Sequence, residues 1–343
     1  MVEEWRTMRH SPFAMYPQTA LVTAVLDNWL RPAVESRTVE QIQAGRGMTY
    51  PDRPPFSWVA GPVDRSVGIT YGTARARDGY EIPLRIYRPR SVRDTDTDVP
   101  VIVFLHGGGF VQGNVVMFDP LCSHVAAQVR AVVVSVDYRL APEHRAPTAA
   151  QDCVDATAWV AGRGSVLRAD TSRIAVCGDS AGGTLAAVTA QQLRDRGDSP
   201  IRHQALLYPA TDMTLASASI DLHADAPMLT RKSIVVFREH YAPTGSDWRD
   251  PVVSPLFGNL EGLPPALVQT ADLDPLRDDG LRYAAALRAA GVEVRATNYV
   301  RVPHGFASIP GAVPVAAQHR AELVSELRSH LYAAGAPQGG PAG

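Results

Sequence analysis

The stretch Ile174–Ala190, IAVCGDSAGGTLAAVTA, joins an apolar run to a helix-like run of small residues, with one serine between glycines at the junction. A continuous apolar run fits a strand buried on both faces, and the small residues after Gly182 fit a helix packed close behind it. Ser180 then stands on the turn from strand to helix. Further runs of the same character follow Pro100: VPVIVFLHG, AVVVSVDY, HQALLYPA, PPALVQTAD and VEVRATNYV. Helical patterns over 151–161, 182–196 and 279–290 lie between them, and this alternation predicts a doubly wound α/β fold around a parallel sheet. Upstream, residues 66–90 read as two alternating strands turned at Asp78-Gly79. From Gln18 to about Arg46, Leu21, Val22, Val25, Leu26, Trp29 and Leu30 recur at helical spacing, with Pro32 marking a break. Residues 212–250 are too long for a plain connection and read as an inserted lobe. The composition of residues 334–343 predicts a disordered tail.

Gly178-Asp179-Ser180-Ala181-Gly182 is a G-x-S-x-G pattern in its required strand–turn–helix context. A hydroxyl standing clear at the carboxyl end of a sheet needs a tight, strained turn, where side chains two positions away on either side would collide. The following helix aims its first N–H groups at developing negative charge. Such a serine needs a base, and the base needs an acid to orient it. PPALVQTADLDPLRDDG runs from a buried strand into Asp272, Asp274, Asp278 and Asp279, and VEVRATNYVRVPHGF runs into His304. Of the 10 histidines, His304 alone follows the last predicted strand and precedes a glycine. Position at a strand end does not separate the carboxylates. Spacing favours Asp274, while Asp278 and Asp279 precede a helical pattern where carboxylates serve as caps. The order Ser180, Asp274, His304 is that of the α/β-hydrolases. The glycines of VIVFLHGGGFVQG let backbone approach a substrate, so the N–H groups of Gly108, Gly109 and Ala181 form a candidate oxyanion hole, with His106 holding the loop. A phosphate cradle is disfavoured, because G-x-G-x-x-G and the P-loop lysine are both missing.

Composition sets the surroundings. The 343 residues are 45% hydrophobic and 20% charged, with a formal net charge of -2. A balance so near neutral gives no reason to expect nucleic acid or an anionic membrane surface as partner. Lys232 is the single lysine and lies far from Ser180 in the chain, which argues against a Ser-Lys dyad or a Schiff base. The 3 cysteines lack metal-ligand spacing and are odd in number. They read as small buried hydrophobes in a reducing, cytoplasmic compartment. The amino terminus lacks a signal-peptide pattern, and no stretch is long and apolar enough to span a bilayer. No metal and no organic cofactor is expected.

Taken together, HGGGF (106–110), DYRLAPEH (137–144), GDSAGG (178–183), DPLRDDG (274–280) and HGF (304–306) resemble the hormone-sensitive-lipase-like, or bacterial family IV, esterases. The resemblance implies an α/β-hydrolase fold with a mostly parallel eight-stranded sheet over residues 67–333. It also implies a helical cap from residues 1–66 completed by about 212–250. Its catalytic residues would be Ser180 as nucleophile, Asp274 as acid and His304 as base. Arg139 and Glu143 would anchor their loop beside the glycine loop by charge pairing. The implied activity is hydrolysis of short- to medium-chain acyl esters, with a natural-product deacetylase or amidase on the same triad as the alternative. A non-catalytic binding protein like the plant gibberellin receptors is a third reading, disfavoured because His304 is present. A homodimer through the last strand and helix is common in that family, although nothing in the chain demands one. Phe13, Met15, Tyr16, Met228, Leu229 and Phe237 are candidates to line an acyl pocket or to pack the cap.

Overall fold

Strands β1 (Val67–Arg75), β2 (Glu81–Pro89), β3 (Pro100–Leu105), β4 (Val132–Val136), β5 (Asp170–Asp179), β6 (Ile201–Leu207), β7 (Ala266–Leu273) and β8 (Val294–Pro303) form one sheet in the order β1-β2-β4-β3-β5-β6-β7-β8. The hairpin β1–β2 is antiparallel, β2 runs antiparallel to β4, and the remaining pairs are parallel. This architecture comes from a computed structural model that describes residues 15–30, 33–93, 96–197 and 199–333. Phe13, Pro32 and the 334–343 tail of the sequence reading lie outside the described residues. Helices α1 (Pro17–Val25), α2 (Val39–Gly45), α3 (Phe56–Ala60), α4 (Asp119–Val129), α5 (Thr148–Ala161), α6 (Ala181–Asp195), α7 (Ala218–Leu222), α8 (Arg231–Tyr241), α9 (Arg277–Ala289) and α10 (Ala316–Tyr332) accompany the sheet.

Successive side chains of a strand point to opposite faces, and here both faces are covered. Val101, Val103 and Leu105 of β3 join the core beneath α5, α6 and α9, whereas Ile102 and Phe104 join the core beneath α4 and α10. Ile174 and Val176 of β5 divide from Ala175 and Cys177 in the same way. Full burial of a Val, Leu or Ile contributes about 1.5–3 kcal/mol, which is why these strands read as unbroken apolar runs. The hairpin turns where expected, with Gly79 at φ 89° and Ala76 N–H donating to Tyr80 O at 2.8 Å.

One expectation needs correction. VEVRATNYV was read as buried on both faces, but β8 is an edge strand, and none of its first five residues is buried: Arg295 and Asn298 are exposed and the others half-buried. The amino-terminal pattern forms two helical pieces, on either side of the break read at Pro32: α1 widens into a π turn over Leu26–Leu30, and α2 begins afresh at Val39 behind a Thr38–Gln41 capping box. Its apolar residues do not all turn inward. Leu21, at the wall of the cavity described below, is 68% exposed, and Trp29 is 82% exposed.

Candidate active site

Parallel strands deliver their carboxyl ends to one edge of the sheet, and register decides which residues meet there. Leu105 pairs with Gly178, Asp179 with Leu207, and Leu273 with Pro303. The glycine loop therefore emerges beside Ser180, and Asp274 emerges beside His304.

Ser180 lies at φ 54°, ψ -121°, a strained left-handed backbone for a residue with a Cβ. Its N–H donates to Leu207 O at 2.8 Å. The turn tolerates nothing larger than glycine at two points. A Cβ on Gly178 would strike the Gly182 carbonyl, and one on Gly182 would strike the Leu105 carbonyl. The collision expected from the pattern is thus present on both sides of the serine.

His304 Nε2 lies 2.8 Å from Ser180 Oγ, and His304 Nδ1 lies 2.7 Å from Asp274 Oδ2. Asp274 is fully buried and also accepts the Leu276 N–H at 2.8 Å. An acceptor-only carboxylate fixes the tautomer: Nδ1–H donates to Asp274, leaving Nε2 to accept the serine proton. Tyr208 packs edge-on against the imidazole, with ring centroids 4.9 Å apart. The other carboxylates are occupied elsewhere. Asp278 accepts the Ser219 N–H at 2.9 Å, and Asp272 is the acceptor for Arg301 N–H at 3.5 Å. Asp279 accepts the N–H groups of Thr211 and Asp212, each at 3.2 Å, and the Ser217 hydroxyl. Asp278 and Asp279 do lie in the first turn of α9, but their bonds tie the inserted segment to that helix rather than merely capping it.

No acceptor among the described residues takes the N–H of Gly108, Gly109 or Ala181. Gly108 and Gly109 have φ 129° and 62°, and the Gly108 carbonyl accepts from Gln112 N–H at 3.0 Å, which closes the loop on itself. His106 is buried, stacks on Tyr138 at 4.4 Å and bonds Gly107 O through Nδ1 at 2.8 Å. Burial lowers its pKa, so it supports the loop as a neutral ring. Asp179 escaped the sequence reading. Its Oδ1 accepts Gly107 N–H at 2.7 Å and so ties the serine turn to the glycine loop. The only signal was its place inside the pentapeptide.

The YRLAPE loop is anchored by charge, as the resemblance implied, and its two ends reach different partners. Arg139 grips Asp152 through Nη2 at 2.7 Å and Asp78 of the hairpin turn at 2.7 Å. Glu143 holds Arg46, just past α2, at 2.7 Å, and Arg46 Nε donates to Val111 O at 2.9 Å. The loop is thus pinned to the amino-terminal segment as well as to the sheet.

Above Ser180 opens a cavity of about 1380 Å³. Its walls come from residues 15–60, from the glycine loop and from residues 210–238, together with Ser180 and His304. Met228, Leu229, Phe237 and Met15 line it, whereas Tyr16 does not and instead lies beneath the Arg301 guanidinium at 4.7 Å. The Phe237 ring lies where a Cβ on Gly109 would be, so the inserted segment presses directly on the glycine loop. Every methionine among the described residues lines this cavity: Met15, Met48, Met117, Met213 and Met228. Among the described residues no group of His, Cys, Asp and Glu is placed to hold a metal ion.

A strained serine on a strand-to-helix turn, a histidine and buried aspartate in line with it, and free backbone amides alongside define an α/β-hydrolase. The chain belongs to that family: a family model described as alpha/beta hydrolase fold matches residues 102–308. Esterase LipI of Mycobacterium tuberculosis is 46% identical over 262 residues, covering 75% of this chain and 81% of the relative. Carboxylesterase NlhH of the same organism is 44% identical, over 74% of this chain and 80% of the relative. Among solved structures, the hyperthermophilic esterase of the archaeon Pyrobaculum calidifontis superposes with a TM-score of 0.82 at 37% identity, covering 92% of this chain and 98% of that one. These likenesses agree with the resemblance drawn from the motifs.

Proposed function

We propose that this protein is a serine carboxylesterase that hydrolyses short- to medium-chain acyl esters through an acyl-enzyme at Ser180. The observation that carries the reading is the continuous hydrogen-bonded line from Ser180 Oγ through His304 to Asp274, with links of 2.8 and 2.7 Å. His304 takes the serine proton as Oγ attacks the ester carbonyl, and Asp274 stabilises the imidazolium that forms. The developing oxyanion rests on the N–H groups of Gly108, Gly109 and Ala181, whose freedom from other acceptors suits them to the task. His304 returns the proton to the leaving alcohol, and water then releases the acyl group by the reverse route. No step calls for a metal or an organic cofactor.

Residues 1–66 and about 212–250 act as the cap over a catalytic domain of 67–333, a division supported by the cavity wall that the described residues between Met15 and Ala60 and between Asp212 and Arg238 supply. The motifs place the protein in the hormone-sensitive-lipase-like group. Three free, buried cysteines favour a cytoplasmic location; no helix among the described residues is long and apolar enough to cross a membrane.

The test is hydrolysis of p-nitrophenyl esters from acetyl to palmitoyl by wild type and Ser180→Ala. Turnover of the short esters that vanishes in the variant is the expected result. Absence of turnover by a folded wild type would remove the esterase reading.

A further inference from the structure

A second cavity, of about 890 Å³, lies behind the wall of the first and shares no residue with it. Helix α3 and the turn after His304 form the partition. Phe56, Val59, Ser308 and Ile309 face the substrate cavity, while Ser57, Trp58, Pro310 and Gly311 face the second groove. The partition is tightly made, because a Cβ on Gly311 would strike the Trp58 carbonyl.

Charge in this groove has one sign. Arg320 and Arg328 of α10 supply it, His124 of α4 lines the groove with its pKa lowered by burial and by Arg320, and among the described residues no carboxylate lines it. Arg320 is the unusual member: its Nε and Nη2 are shut away from solvent without an acceptor. Burial lowers its pKa, and no acid is close enough to compensate. Leaving guanidinium donors unbonded in a protected site is costly, and an oxyanion is what their planar fork fits best. None of the neighbouring acids lines the groove. Asp64, which attracts His124 without lining the groove, is held by the Ser66 hydroxyl at 2.6 Å, and Glu322 and Glu326 of α10 bind Arg295 at 2.7 and 3.3 Å. Arg328 donates to Gln128 O at 3.0 Å and lies about 12 Å along the helix from Arg320, given a rise of about 1.5 Å per residue. Trp58, 71% exposed, offers a flat apolar face beside the charged end.

We propose that this groove binds a phosphoryl group on the Arg320 guanidinium, with His124 opposite and Arg328 drawing the anion in, and that Trp58 receives the organic part of a phosphate monoester. Phosphate fits better than carboxylate, since it offers oxygens to donors on both α4 and α10 at once. The site is independent of the acyl chemistry at Ser180.

Calorimetric titration with inorganic phosphate and with phenyl phosphate, at constant ionic strength, tests this. Wild type and Ser180→Ala are expected to bind both at one saturable site, phenyl phosphate more tightly. Arg320→Gln, shown folded by circular dichroism, is expected to bind at least tenfold more weakly, with partial recovery in Arg320→Lys. Co-sedimentation with phosphatidylcholine vesicles containing phosphatidic acid separates the sources: Arg320-dependent pelleting assigns a lipid headgroup, and titration without pelleting assigns a free ester. No saturable binding by wild type, or equal binding by Arg320→Gln, overturns the proposal. If Arg320→Gln does not fold, Arg328→Gln and His124→Gln replace it, and undiminished affinity in both is equally decisive.

Discussion

His304 Nε2 stands 2.8 Å from Ser180 Oγ although 124 residues separate them in the chain. The parallel register creates this approach. β5 ends at the serine turn, while the pairing of Leu273 with Pro303 sets Asp274 and His304 side by side, two and three strands away. Ser180→Ala and Asp274→Asn are each expected to lower kcat on an acetyl ester by about 10³–10⁴-fold with the fold intact. Steady-state kinetics with circular dichroism checks this. A wild-type rate in Asp274→Asn beside a collapse in Asp278→Asn would move the acid to the wrong carboxylate.

Phe237 closes the space over Gly109, so its truncation should enlarge the pocket beside the oxyanion amides. Phe237→Ala is expected to shift kcat/KM toward branched acyl esters by about tenfold relative to acetyl, the scale of one methylene in an apolar pocket. Gly109→Ala should act the other way, forcing ring and loop apart and lowering kcat for every ester. An unchanged acyl profile in Phe237→Ala would place the acyl group elsewhere in the cavity.

The methionine lining predicts oxidant sensitivity. A sulfoxide turns a flexible apolar side chain polar, and Met48, 50% exposed at the cavity, is within reach of peroxide. Mild peroxide treatment should depress kcat/KM for octanoyl esters more than for acetyl esters, and methionine sulfoxide reductase should restore it. Cys122, Cys153 and Cys177 are buried with raised pKa values, so thiol oxidation does not account for such a loss. Mass spectrometry showing Met48 sulfoxide with an unaltered chain-length profile would contradict the prediction.

Stability against pH carries opposing contributions. Burial holds His203 and His319 near a pKa of about 3, below the model-compound value of 6.5. The unfolded chain therefore binds protons that the native one refuses, and this stability, full above pH 6.5, is lost as pH falls toward 3. Asp279 runs the other way. Burial pushes its pKa from 3.8 up to about 7, so the native carboxyl keeps a proton the unfolded one has released, and its contribution falls as pH rises through 7. Asp279→Asn should thus take up about one more proton on unfolding than wild type between pH 4 and 6.5. Equal uptake, measured calorimetrically in buffers of different ionisation enthalpy, would refute the assignment.

Strand, elbow and helix around Ser180 were legible in the chain because they depend on near neighbours: apolar runs of set length, and glycines two positions from a strained serine. His304 was legible because it follows the last strand directly. The choice among Asp272, Asp274, Asp278 and Asp279 was legible only in part: spacing favoured Asp274 and the motif resemblance named it, but position at the strand end did not separate the four. The pairing of β7 with β8 and the drawing of Asp279 beneath the inserted segment supply the physical separation. For the same reason β8 read as a central strand, because an edge is defined by the neighbour it lacks. The cavity wall, with methionines drawn from five separate segments, and the carboxylate-free groove around Arg320 were decided by tertiary structure alone. A local pattern dictates how a segment folds; which distant side chains converge depends on sheet order and register.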